Sequence, residues 1–159
     1  MSALQRPLRA YLDTSVFGGV FDAGFDEASR AFIDSIRVGR VIAMVGSTTL
    51  AELSQAPDRV QAVLAELPPE SVVRCGITEE VECLRDAYLD AGVLTPKWTD
   101  DATHVATATV HDADILVSWN FRHIVNYDKI RLFNAVNVRL GYRQIAIHSP
   151  LELQHDDEP

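Results

Sequence analysis

The chain has 159 residues, 47% of them hydrophobic, and a formal net charge of −9. Those figures suit one globular domain with a proper core and exclude an intrinsically disordered chain. The acidic balance excludes tight non-specific adhesion to nucleic acid through overall charge.

Met1 to Arg6 lack the apolar region of a signal peptide. No later apolar run reaches the roughly 18 residues of a membrane span. A cytoplasmic protein without membrane contact is expected. The first apolar stretch, Ala10-Tyr11-Leu12, ends in Asp13-Thr14-Ser15. Tyr and Leu favour an extended chain, whereas Asp, Thr and Ser favour turns and helix starts, so this reads as a buried strand delivering Asp13 to one rim of a sheet. Gly24 to Gly39 carries Phe25, Ala28, Phe32 and Ile36 at helical spacing. Val41 to Val45 is a second buried strand, and Ser47 is placed to cap a short helix carrying Glu52. Pro57 opens another helix that closes at Pro68-Pro69.

Ser71 to Cys75 reads as a third strand. Thr78-Glu79-Glu80 starts a helix with acids in the first turn, where the dipole favours them, and Gly92 ends it. Cys75 and Cys83 are too few for a disulfide framework, lack metal-site spacing, and read as core thiols. After a loop from Val93 to Trp98, Thr99 caps a helix beginning Asp100-Asp101. Ile115 to Ser118 is a fourth buried strand, followed at once by Trp119-Asn120. A helix from Asp128 to Leu140, a short strand over 144–147 and an acidic tail over 154–159 complete the chain. Continuous apolar strands alternating with helices predict an α/β fold of three layers, with a parallel sheet of four to five strands and one domain over 1–153.

Such sheets bind ligands outside the carboxyl ends of their strands, near the reversal of strand order. Asp13, Glu52, Asp101 and Asn120 are distant in sequence, and this topology would bring them to that rim. Each also has a bland reading, as a helix cap, a surface helix residue or a turn residue. Carboxylates gathered within a few ångströms repel unless protons or cations neutralise them. Hard oxygen donors select Mg²⁺ or Mn²⁺, ions suited to hydrolysing phosphodiesters. His104 shares the helix side of Asp101 and reads as a hydrogen-bonded structural histidine. Trp119 could stack on a base or wall the pocket, and Asn134 and Asn137 could meet substrate or cap local backbone. From Arg122 to Arg143 five basic residues stand against one acid. That segment reads equally as a solvated face or as a phosphate contact.

Tyr11 to Ser15, Ser47 to Leu53, Asp101 to Ala108 and Ile115 to Asn120 together resemble the ordered motifs of PIN-domain nucleases, in particular the VapC-like toxin ribonucleases. The resemblance runs from about Arg9 to Leu151. It implies a Mg²⁺- or Mn²⁺-dependent endoribonuclease acting on RNA, a small antitoxin partner and a homodimer. It carries Asp13, Glu52 and Asp101 over as catalytic and metal-binding acids, Asn120 as a fourth catalytic position, and Ser15 as the small polar residue near the first acid. Ser15 and Arg122 are the expected substrate contacts. Where the family pattern often continues to an Asp-Phe pair, this chain has His123-Ile124, so one tightly held cation is expected. Two other readings compete. One is a catalytically weak PIN-fold binding module acting through a protein partner. The other is a phosphatase or receiver domain using Asp13 as nucleophile, which Ser15 and the absence of a Lys after Ile115–Ser118 disfavour.

Overall fold

A computed structural model describes residues 6–154. Strand β1 (Leu8–Leu12) buries both of its faces: Ala10 and Leu12 point to one helical layer and Tyr11 to the other. Strand β2 (Val41–Gly46) repeats this, with Val41, Ala43 and Val45 on one side and Met44 on the other. Side chains alternate across a strand with period two. With helices on both faces, that alternation demands the unbroken apolar runs seen in the sequence. Strands β3 (Val72–Cys75), β4 (Ile115–Val117) and β5 (Ala146–His148) complete a wholly parallel sheet of order β3-β2-β1-β4-β5.

Helices α1 (Thr14–Gly19), α2 (Asp26–Arg37), α3 (Ser47–Leu53) and α4 (Asp58–Ala65) pack on the Leu12 face. Helices α5 (Glu79–Asp90), α6 (Thr99–Val110) and α7 (Tyr127–Arg139) pack on the Tyr11 face. The chain therefore forms three layers, α/β/α. It runs outward from β1 to β3, then crosses back to lay β4 and β5 on the other side of β1. Strand order reverses between β1 and β4, which opens a crevice at their carboxyl ends.

Several expectations need correction. Cys75 is buried, but Cys83 is exposed on α5 and is no core thiol. Helix α1 is hidden in the sequence: its six residues, two of them glycines, are too few to show a helical period. Gly46 and Trp98, rather than Ser47 and Thr99, hold the N-cap positions of α3 and α6. Strand β5 begins later than expected because Asn134 captures Ile145: Oδ1 accepts from its backbone N–H and Nδ2 donates to its carbonyl. Asn134 also receives a hydrogen bond from Asn137, whose Oδ1 accepts from Tyr88. Both asparagines are thus buried structural groups. Of the acidic tail, residues 155–159 lie outside the described residues. Among the described residues no helix is long and apolar enough to cross a membrane.

Candidate active site

Asp13 follows β1 directly, and its backbone N–H bonds to the carbonyl of Val117 on β4 (3.0 Å). Asp13 is only 6% exposed, and its carboxylate accepts through Oδ2 from Ser15 Oγ (2.8 Å) and Ser118 Oγ (2.7 Å). The same two hydroxyls accept the backbone N–H groups of Trp119 (2.9 Å) and Asn120 (2.9 Å). The turn after β4 is therefore tied to Asp13 by two serines. Oδ1 lies 3.3 Å from His104 Nε2.

His104, on α6, is 1% exposed and held at both ring nitrogens. Nε2 sits 2.5 Å from Glu52 Oε1 on α3, and Nδ1 sits 2.7 Å from the Tyr11 hydroxyl. Burial pushes the imidazole pKa down, but the Glu52 hydrogen bond and the charges of Asp13, Glu52 and Asp101 outweigh it and hold it above the ordinary value. Asp13, Glu52 and His104 each offer a ligand atom, and those atoms all lie within 4.8 Å of one another. A buried carboxylate, a half-exposed carboxylate and an imidazole so arranged form a mixed oxygen–nitrogen donor set that fits a divalent transition ion such as Mn²⁺.

Asp101 stands in the first turn of α6. Its Oδ2 is 2.8 Å from His123 Nδ1. Burial raises its pKa, the His123 hydrogen bond lowers it, and the negative charge of Asp13 raises it further, for a net upward shift. Asp101 is thus an electrostatic neighbour of the inner cluster while anchored to a second histidine. Glu52, Asp100, Asp101 and Asn120 line a cavity of about 460 Å³, together with Arg122 and His123. Asn120 Oδ1 also accepts the His123 backbone N–H (3.0 Å), so this residue shapes the turn that carries the wall.

The structure gathers Asp13, Glu52, Asp101, Asn120 and Arg122 at one rim. Ser15 reaches the site through Asp13 and does not line the cavity. Trp119 is committed elsewhere: its Nε1 donates to Ser29 Oγ, and its ring packs on Phe25 with centroids 4.5 Å apart. Of the basic segment, Arg131 and Arg143 pair with Asp128 and Asp112 on the surface. Sequence reasoning left His104 outside the ligand set and gave no place to Trp98, Lys97 or Tyr11. The spacing of His104, three from Asp101 on one helix face, is visible in the sequence, and the residue is hydrogen-bonded at both ring nitrogens as that spacing suggests; what the spacing does not show is Glu52, 52 residues upstream, on Nε2. A larger cavity of about 570 Å³ between α3, α4 and β3 is lined mainly by aliphatic groups, with Arg74 its one charge, and offers no comparable chemistry.

No family model matches the sequence, and no curated protein matches it. Solved structures do match its fold. VapBC2 from Rickettsia felis, bound to a promoter DNA fragment, superposes with a TM-score of 0.58 at 12% identity, over 89% of this chain and 98% of that one. VapC20 from Mycobacterium tuberculosis, a sarcin-ricin loop cleaving toxin, gives 0.56 at 15% identity, over 86% and 98%. FitAcB from Neisseria gonorrhoeae gives 0.54 at 17% identity, over 91% and 99%. These structural neighbours are PIN-domain toxins of the VapC and FitB kind, and the fold of this chain matches the three-layer α/β/α PIN fold.

Proposed function

We propose that the chain is a divalent-metal-dependent endoribonuclease, with residues 1–153 as one catalytic domain. We read it as the cytoplasmic toxin of a toxin–antitoxin pair that forms homodimers and is held inactive by a small antitoxin. The observation that carries the nuclease reading is the convergence of Asp13, Glu52 and His104 at the reversal of strand order, with Asp101 beside them. The fold shared with a toxin named for cleaving the sarcin-ricin loop supports RNA as the substrate.

Asp13, Glu52 and Asp101 are the acids assigned to the metal, with His104 Nε2 as an added donor. When bound, Mg²⁺ or Mn²⁺ neutralises these carboxylates and supplies Lewis acidity at a phosphoryl oxygen. The chain supplies the rest. Ser15 and Ser118 fix the rotamer of Asp13, and in the metal-free protein the Nε2–H of His104 holds Glu52, a hydrogen bond given up when Nε2 turns its lone pair to the ion. His123 holds Asp101 against the cavity wall. Asn120, lining the same cavity, binds a non-bridging oxygen of the phosphate to be cleaved, and Arg122 binds the phosphate beside it.

The test is cleavage of single-stranded RNA by the purified chain with Mn²⁺. Activity should vanish on adding EDTA and fall by more than about 100-fold in Asp13→Asn. Cleavage indifferent to both would overturn the assignment. Copurification with the product of an adjacent small reading frame, which then blocks cleavage, is the result expected of the antitoxin.

A further inference from the structure

Beyond the acids, the cavity continues along a wall that the reaction itself does not need. Trp98 ends a 3-10 turn (Pro96–Trp98) at its mouth and is partly exposed. On one side its ring meets that of His123, with centroids 4.2 Å apart and planes inclined by 42°. Lys97 Nζ lies 5.0 Å from its centroid and the Arg122 guanidinium 5.7 Å. A second cavity of about 260 Å³ shares Trp98, Arg122 and His123 with the first and extends to Val93, Thr95 and Lys129. No acid lines this second space, although the chain as a whole carries −9. Lys129 is positioned rather than free-swinging, since its ammonium donates to the Val93 carbonyl at 2.7 Å.

An aromatic face flanked by cations is how single-stranded nucleic acid is held without sequence readout: bases stack, and phosphates take the charges. We infer that Trp98 is the platform for an unpaired nucleotide next to the cleaved phosphate, with Arg122 and Lys129 binding its phosphate in the acid-free cavity and Lys97 binding the next. This deepens the ribonuclease reading and rests on it. Lys97 and Arg122 cover the indole in the free protein. A stacked base displaces them onto the phosphates that flank it, at little cost because both side chains are exposed. The subsite selects unpaired RNA, because a base inside a duplex has no free face to offer.

The experiment measures binding of a fluorescein-labelled single-stranded RNA hexamer to the full chain in EDTA, where nothing is cut. Trp98→Ala should weaken binding about tenfold or more, and Trp98→Phe should retain most of it. Arg122→Ala should lower the slope of log affinity against log salt by about 0.7, as for one lost phosphate contact. In Mn²⁺-supported cleavage, Trp98→Ala should raise KM more than it lowers kcat. A Trp98→Ala protein with a wild-type circular dichroism spectrum and wild-type affinity overturns the subsite, and so does an unchanged salt slope in Arg122→Ala. If that protein misfolds, Lys97→Ala decides instead: the salt slope should fall by about 0.7, and an unchanged slope overturns the subsite. Trp98-dependent binding without cleavage under any divalent ion would leave the subsite standing and overturn the nuclease reading. Cleavage without Trp98 dependence would do the reverse.

Discussion

His104 is buried among carboxylates, and its second nitrogen decides what its first can do. Nε2 can present a lone pair to a cation only if it releases the proton it shares with Glu52 and the remaining ring proton sits on Nδ1, where the Tyr11 hydroxyl must accept it. The surroundings permit this. Tyr11 then donates to Thr49 Oγ1 (3.4 Å), and Thr49 donates to the Leu12 carbonyl (3.0 Å). Each hydroxyl in the series has one acceptor for its own proton, the usual support of a metal-ligating histidine. We therefore expect Mn²⁺ bound to the chain to show nitrogen hyperfine coupling in pulsed EPR, altered by ¹⁵N-histidine labelling and absent in His104→Gln. The same variant should bind Mn²⁺ about 10- to 100-fold more weakly and lose less affinity for Mg²⁺, which depends on oxygen donors. Mn²⁺ bound without nitrogen coupling would return His104 to a purely orienting role. Tyr11→Phe should reproduce part of the loss, since it removes the acceptor at Nδ1 and leaves the ligand in place.

The junction between β2 and α3 delivers Glu52, and its glycine has a spatial duty. Gly46 has an ordinary backbone (φ −80°), so a side chain is not excluded by strain. A Cβ there would overlap the Tyr11 hydroxyl and press on two ring carbons at 3.0 Å. Tyr11 is fully buried and cannot swing aside. Gly46→Ala should therefore cost about 1–3 kcal/mol in denaturant unfolding, with a matching loss of Mn²⁺ affinity through displaced His104. Gly18→Ala is the control: a Cβ there meets nothing within 4 Å, and it should be neutral or stabilising by up to about 1 kcal/mol. Equal effects of the two substitutions would remove the special role of Gly46. At this scale the sequence shows β1, β2 and β4 plainly, because burial on both faces leaves an uninterrupted apolar run. It shows the late strand less well, since a side chain 11 residues upstream, Asn134, decides where pairing begins. The placing of Asp13 and Glu52 side by side could be read because motif order and strand ends are local features. The partners of those acids could not. Tyr11 to His104 and Asp101 to His123 are contacts made by packing across 93 and 22 residues, and no local period records them.

For the whole molecule, the site concentrates negative charge on a chain that is already acidic, so the free protein stores repulsion that a bound cation releases. Three features of the fold prevent the acids from moving apart: the serine clamps on Asp13, the Tyr11–His104–Glu52 series, and the His123 anchor of Asp101. On the proposed reading, cation binding is linked to folding, because the unfolded chain holds these groups far apart in sequence and has no comparable site. At a concentration 100 times its Kd, an ion binding only the native state adds about 2.7 kcal/mol to the unfolding free energy. For a chain of this size that raises Tm by roughly 5–11 °C. Scanning calorimetry with increasing Mn²⁺ should show Tm climbing with the logarithm of ion concentration, with no such climb for Ca²⁺-free Na⁺ at equal ionic strength. Asp13→Asn should flatten the response while remaining folded, since the amide can still accept from Ser15 and Ser118 through its oxygen. Arg122→Ala, at the wall proposed to bind RNA, should leave the Mn²⁺ response in place. A wild-type Tm indifferent to millimolar Mn²⁺ would mean that the three anchors hold the acids apart from any cation, and the clustering would then be a property of packing alone.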